Sequence, residues 1–131
     1  MTISAATFLM FEGRAEEALA FYVSVVPGSE ILSINRYGAG GPGPEGSVIL
    51  ATATIAGMPV MASDSFVKHD FSFTPSVSFF LTCSDEAEIE ELATALGDGG
   101  QFLMPLSNYG FSRRFGWLND RFGVSWQLNL P

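Results

Sequence analysis

The sequence predicts an α+β chain built as two successive βαβββ modules. Three observations carry that prediction. Short β-prone runs recur along the chain, bounded by Gly, Pro, Asn and Asp. Two stretches repeat apolar residues at three- and four-residue steps, the period of a helix with one buried face. The order strand, helix, three strands then occurs twice, with Thr7 to Phe11 matching Ser76 to Phe80 at an offset of roughly seventy residues. The first module covers residues 1–66 and the second 74–131, within a chain of 131 residues that is one domain by length.

Ala6 to Phe11 reads as the first strand. Gly13 opens a helix whose stripe is Ala15, Ala18, Leu19, Tyr22, Val25 and Val26. Glu16 and Glu17 fall in its first turn, where the helix dipole favours acid, and Pro27-Gly28 ends it. Ile31 to Arg36 is the second strand. Gly38 to Gly46 is a Gly/Pro loop with no apolar anchor, expected to be a mobile connection and a candidate lid. It is not a phosphate cradle, because it leads into a β-rich segment rather than a helix. Ser47 to Ile55 and Met58 to Ser63 form a hairpin across Ala56-Gly57.

In the second half, Ser76 to Thr82 reads as the fifth strand. Asp85 caps a second helix, with Glu88 completing a capping box and Ile89, Leu92, Ala93 and Leu96 as the buried stripe. Gly97, Gly99 and Gly100 end it. Gln101 to Met104, Ser112 to Leu118 and Val124 to Leu128 supply the last three strands. Asn119-Asp120 has turn chemistry, and Gly123 is free to take a positive φ. Beyond it Val124, Trp126 and Leu128 point to one side, and Ser125, Gln127 and Asn129 to the other. That strand has a core face and a polar face.

Apolar residues make up 47% and charged residues 15% of the chain, which fits a packed domain rather than a disordered one. The net charge of −8 argues against nucleic acid as a partner. No apolar run is long enough to span a bilayer, and the N-terminus lacks the pattern of a signal peptide. The single cysteine, Cys83, cannot form an intrachain disulfide; with the other features it points to a cytoplasmic protein.

The ending Phe111-Ser112, then Phe115-Gly116-Trp117-Leu118-Asn119-Asp120-Arg121-Phe122-Gly123-Val124-Ser125-Trp126-Gln127, resembles the signature of PhnB-like proteins, also labelled 3-demethylubiquinone 3-methyltransferase-like. They form a branch of the vicinal oxygen chelate superfamily, with glyoxalase I, bleomycin-resistance proteins and extradiol dioxygenases. The resemblance implies the glyoxalase/bleomycin resistance/dioxygenase fold: two βαβββ modules whose sheets curve into a cup, with helices outside and the site within. It also implies a homodimer. The methyltransferase label finds no support in the residues, since no strand, Gly-rich turn and helix follow one another as a nucleotide site requires.

Metal-using relatives carry His and Glu on the first, fourth, fifth and eighth strands. Carried over, those positions fall near Thr7, on Met61 or Ser63, on Ser76 with Ser78 as the alternative, and on Gln127. Thr, Met, Ser and Gln do not make a tight divalent site. The expectation is therefore a protein that binds an unidentified small molecule in the cup, without metal or other cofactor. Whether it is catalytic stays open. The alternative is a metal-dependent enzyme of glyoxalase, thiol-transferase or dioxygenase type, using His69 with Asp64 or Glu12.

The expected ligand-binding residues are Gln127, Ser125, Thr7, Met61, Ser76, His69, Tyr109, Phe111 and Arg113. His69, the one imidazole, reads either as a ligand or base or as a plain loop residue. Arg113 and Arg114 are neighbours, so one of them enters the cup and meets an anionic group, or both are surface ion-pair residues. Tyr109 and Phe111 read as pocket aromatics, Trp117 and Trp126 as core, and Cys83 as a buried, inert thiol.

Overall fold

Helix α1 (Ala15–Val25) has no side-chain cap of its own: its N-cap residue is Arg14. The missing acceptor arrives from the far end of the same half. Asp64 Oδ1 accepts from the backbone N–H groups of Gly13 at 3.0 Å and Ala15 at 2.9 Å, and Oδ2 from that of Val48 at 2.9 Å. A carboxylate at a helix N-terminus is also favoured by the dipole. In the computed structural model, which describes residues 2–131, this contact helps hold together the first of two units, Met1–His69 and Asp70–Pro131.

The first unit runs β1 (Thr7–Phe11), α1, β2 (Glu30–Arg36), β3 (Val48–Ile55) and β4 (Met58–Asp64). Its sheet has the order β1-β4-β3-β2, with β1 parallel to β4 and the other pairs antiparallel. The β3–β4 hairpin turns on Ala56 at φ 50° and Gly57 at φ 82°. Two positive φ values make the tight turn whose twist matches the strands. The α1 stripe is buried at Ala15, Ala18, Leu19 and Tyr22, with Val26 behind it, while Val25 stays half-exposed. On the outer side of α1, Arg36 donates to both Glu16 oxygens, at 2.8 and 2.6 Å, and the guanidinium holds that carboxyl below its usual range. Both groups are exposed, so the pair adds little stability.

The Gly38 to Gly46 loop has an apolar anchor, contrary to expectation. Tyr37 closes its base, donating from its N–H to Ser47 O and accepting from Gly46 N–H, both at 2.9 Å. The Tyr37 ring packs edge-on against Phe66 with centroids 5.9 Å apart. Gly43 sits so close to both rings that a Cβ there would lie 2.8 Å from Tyr37 and 3.1 Å from Phe66. The aromatic partner comes from beyond β4, which local sequence cannot reveal.

The second unit repeats the order: β5 (Ser78–Thr82), α2 (Glu86–Gly97), β6 (Gln101–Ser107), β7 (Arg114–Asn119) and β8 (Ser125–Leu130). Its sheet order is β5-β8-β7-β6, with β5 parallel to β8. Asp85 caps α2, accepting from Glu88 N–H at 2.8 Å, and the predicted buried stripe is the observed one. Glu88 reaches one residue further back than a capping box requires, accepting from Ser84 N–H at 2.9 Å. Trp126, fully buried, stacks on Phe79 beneath α2 with ring centroids 4.8 Å apart.

Four strand ends differ from expectation by two residues or more; one of them is the start of β7, at Arg114 rather than Ser112. Ser76 lies outside the fifth strand, in the turn at Pro75-Ser76, because Pro75 ends the extended run and β5 starts at Ser78. β6 continues through Pro105 to Ser107; as an edge strand with a register shift there, it tolerates a residue without an N–H. β8 extends to Leu130, buried beside Leu128.

Candidate functional site

Strand β8 separates its side chains as the alternation predicts. Val124, Trp126, Leu128 and Leu130 are buried on the α2 side. Ser125, Gln127 and Asn129 take the face turned away from α2. The register adds Ser78 and Phe80 from β5, opposite Ser125 and Gln127, and Asn119, Trp117 and Phe115 from β7, opposite Ser125, Gln127 and Asn129.

A hydrogen-bonded row runs across this face. The Trp117 indole N–H donates to Ser125 Oγ at 2.9 Å. Ser125 Oγ lies 2.6 Å from Ser78 Oγ, and Gln127 Nε2 donates to Ser78 Oγ at 3.4 Å. Trp117 is thus part of the polar face and half-exposed, not core as its size suggested. Cross-strand register decides this: residues opposite one another share a face, and Trp117 stands opposite Gln127. Asn119 and Asn129 each keep an Oδ1 atom that is buried and has no hydrogen-bond partner.

Beside the row stands an aromatic group centred on Phe115. Phe111, Tyr109 and Phe80 meet it with ring centroids 5.1, 6.3 and 6.5 Å away. Phe115 is buried, whereas Phe80, Tyr109 and Phe111 are 56%, 40% and 65% exposed. The Tyr109 hydroxyl donates to Pro105 O at 2.6 Å, which fixes its ring. Exposed rings held at their bases offer flat apolar surface to a ligand.

The remaining expected residues fall elsewhere. Ser76 is an exposed turn residue, and its alternative, Ser78, takes the strand position beside Ser125. In the first sheet, Thr7 is one residue out of phase. It pairs with buried Val60 and lies on the α1 side with Leu9 and Phe11, whereas Phe8 pairs with Met61 on the other face. Met61 and Ser63 lie on that helix-free face with Phe8 and Met10. Arg114 turns to α2, where Nη1 meets Glu86 and Glu90, both at 2.8 Å. Arg113, exposed, donates from Nε to Pro131 O at 3.0 Å.

His69 lies in the loop after β4, with Nε2 2.8 Å from Ser65 Oγ and its backbone N–H 3.5 Å from Glu12 Oε2. A hollow of about 280 Å³ in the first unit is lined by Glu12, Pro44, Ser47, Asp64, Ser65 and Phe66 among others. Asp64 spends its oxygens on three backbone N–H groups, which leaves it poorly placed to join His69 as a ligand. Among the described residues no three His, Cys, Asp or Glu side chains gather as a metal site would require. The strand positions carried over from metal-using relatives hold Thr or Phe, Met, Ser and Gln, and that donor set does not fit a divalent cation. Burial, with the Glu88 and Asp85 carboxylates nearby, pushes the Cys83 thiol up to about 11, so it is a poor nucleophile at neutral pH.

Sequence reasoning passed over Asn119, Phe80 and Phe115. The signal was present in Phe115-Gly116-Trp117-Leu118-Asn119, which alternates as β8 does. Its large alternate residues read as core until the register was known.

Comparison with known proteins agrees with this architecture. Residues 4–129 match the family described as 3-demethylubiquinone-9 3-methyltransferase. Protein YjdN of Escherichia coli strain K12 is 26% identical over 140 residues, covering 94% of this chain and 92% of its own. A solved structure from Bacillus cereus, described as a putative 3-demethylubiquinone-9 3-methyltransferase, PhnB protein, is 53% identical with a TM-score of 0.95, covering 98% of this chain and all (100%) of that one. A glyoxylase/bleomycin resistance protein/dioxygenase domain from Frankia sp. EAN1pec is 11% identical with a TM-score of 0.69, covering 99% of this chain and 92% of that one, a likeness of fold alone. The α+β architecture is thus the glyoxalase/bleomycin resistance fold, and the chain belongs to the PhnB-like 3-demethylubiquinone-9 3-methyltransferase family.

Proposed function

We propose that this protein binds a small molecule on the face of its second sheet turned away from α2, without a metal. The observation that carries the reading is the pairing of a polar row with exposed rings. Trp117, Ser125, Ser78 and Gln127 are linked by hydrogen bonds, and Phe80, Tyr109 and Phe111 flank them. A few placed polar groups among aromatic walls is the usual make-up of a ligand site. Met61, with Phe8, is the corresponding candidate on the first sheet.

The family's printed name would ask for a methyl-donor site. Here β1 passes into α1 through Glu12-Gly13-Arg14, and β5 into α2 through Cys83-Ser84-Asp85. Neither is a glycine-rich strand-to-helix turn able to cradle a nucleotide cofactor. The proposal is therefore a binding function, with a cytoplasmic homodimer as its setting. Support for the homodimer lies in strand edges that need cover: β2 and β6 each end a sheet. Light scattering at micromolar concentration should give twice the mass of 14.1 kDa, and a monomer mass would defeat that part.

The binding proposal is tested by a thermal-shift screen against metabolites, followed by nuclear magnetic resonance with each hit. A ligand of the native state raises the melting temperature, and a ligand of this face moves the Trp117 indole and Gln127 amide signals. Gln127→Leu should weaken such a hit about tenfold or more with the fold retained. Hits that leave Trp117 and Gln127 unmoved, or that bind Gln127→Leu as well as the parent, would place the site elsewhere.

A further inference from the structure

A groove of about 670 Å³ runs between α2 and the edge strand β6. Phe102 of β6 stands opposite Leu118, which stands opposite Trp126, so the groove lies on the helix-covered side of the sheet and away from Gln127. Its floor is Ala93 and Gly97 of α2 with Phe102, Pro105 and Leu106 of β6. Two glycines make room for that floor. A Cβ on Gly97 would come 2.7 Å from the Phe102 ring, and one on Gly116 would come 2.8 Å from Leu106 Cδ2. The Phe102 ring still remains 38% exposed. An apolar floor in a groove of this volume is the make-up of a small-molecule site.

The rim selects charge. Residues 70–112 contain no Lys, Arg or His, while α2 and its two caps carry Asp85, Glu86, Glu88, Glu90, Glu91 and Asp98. Glu90, Thr94 and Asp98 recur at four-residue steps and so share the α2 wall of the groove. At the Glu90 end a single nitrogen, Arg114 Nη1, meets both Glu86 and Glu90 at 2.8 Å, so carboxylate outnumbers guanidinium. Arg114 takes Oε1 of Glu90, and the Glu90 side chain stays 60% exposed. At the other end Arg121 meets Asp98 Oδ2 at 3.2 Å. The negative end of the α2 dipole lies there, and the last turn of the helix holds no basic residue. An anion in this groove would face carboxylates and a helix C-terminus.

We propose that the groove between α2 and β6 binds an organic cation, its apolar body on Phe102, Pro105 and Leu106 and its ammonium or guanidinium head at the Glu90 carboxylate. An exposed ion pair alone contributes little. The apolar floor supplies the burial, and the carboxylate supplies the choice of charge. The site is separate from the Gln127 face and does not depend on that face binding anything.

Three probes with one apolar body and different heads test this: 4-phenylbutylamine, 4-phenylbutanol and 4-phenylbutyrate. Each is titrated to millimolar concentration into nitrogen-15-labelled full chain, read at the Thr94, Gly97 and Asp98 amides and at the Trp117 indole. The amine should shift the three amides, leave Trp117 unmoved and bind about tenfold or more tighter than the alcohol, with the carboxylate weakest. Glu90→Gln should cut the affinity for the amine about fivefold and leave that for the alcohol unchanged. Thr94→Trp, which fills the groove from an exposed position on its wall, should abolish binding of both. Equal affinity for amine and alcohol, or tightest binding of the carboxylate, would overturn the choice of a cation. Amides unmoved by every probe, or shifts that persist in Thr94→Trp, would overturn the groove as a site.

Discussion

Asp64 caps helix α1 from 49 residues away: its Oδ1 accepts from the N–H of Ala15 at 2.9 Å. The same side chain takes two further buried or half-buried N–H groups, those of Gly13 and Val48. One residue at the end of β4 thus completes the start of α1 and the start of β3. Asp64→Ala orphans all three donors and should cost roughly 3 to 5 kcal/mol. Asp64→Asn keeps one oxygen acceptor and should cost less, about 1 to 3 kcal/mol. Urea unfolding checks this; the midpoint should fall in that order with the slope unchanged. Equal midpoints for the parent and Asp64→Ala would show that the cap is dispensable.

Asp120 plays a comparable part in the β7–β8 turn. Oδ1 accepts from the N–H groups of Phe122 and Val124, at 2.8 and 3.0 Å, and Oδ2 from the Trp126 indole at 2.8 Å. Asp120→Asn must either turn its NH2 against the Trp126 N–H or give up the turn contacts. About 1 to 3 kcal/mol of stability should be lost. The near-ultraviolet circular dichroism of Trp126 should change with it. An unaltered spectrum and unaltered stability would remove Asp120 from the account of the core.

Cys83 gives the chain a pH dependence with a definite sign. Its folded pKa is raised to about 11, so the unfolded chain loses this proton first as pH rises. The thiol's contribution is fully present below the unfolded value of 9.0 and is lost as pH climbs toward about 11. The total is about 2 to 3 kcal/mol. Subtracting the curve of Cys83→Ala isolates it from the titration of lysine and tyrosine. A difference between parent and variant that stays flat from pH 8 to about 11 would rule the effect out. Alkylation of native Cys83 at neutral pH should also be slow.

Tyr37 should divide the Gly38 to Gly46 loop into held and free parts. The Gly46 amide, bonded to Tyr37 O, and the Tyr37 amide, bonded to Ser47 O, should exchange slowly. Gly40, at a positive φ with nothing within 4 Å of its would-be Cβ, should exchange quickly. Tyr37→Ala removes the ring that packs on Gly43 and Phe66 and should leave the whole loop fast-exchanging. Uniformly fast exchange in the parent protein would return the loop to the unanchored state that its composition suggests.

The sequence by itself determined the order of elements, because helix and strand periods are local properties. The stripe Ile89, Leu92, Ala93 and Leu96, the Asp85 cap and the alternation from Val124 to Asn129 stand as the pattern predicts. It also exposed Ser125 and Gln127 as the polar side of a buried strand. Tertiary structure decided the face of every residue whose own segment was ambiguous. The run from Thr7 to Phe11 is apolar on both sides, so only pairing with β4 puts Phe8 rather than Thr7 on the helix-free face. Trp117 looked like core until its position opposite Gln127 placed it in the polar row. Arg113 and Arg114 were separated by Glu86 and Glu90 on a helix that local sequence could not orient. A one-residue change of phase turns a strand over, and only the hydrogen-bonded neighbour sets that phase.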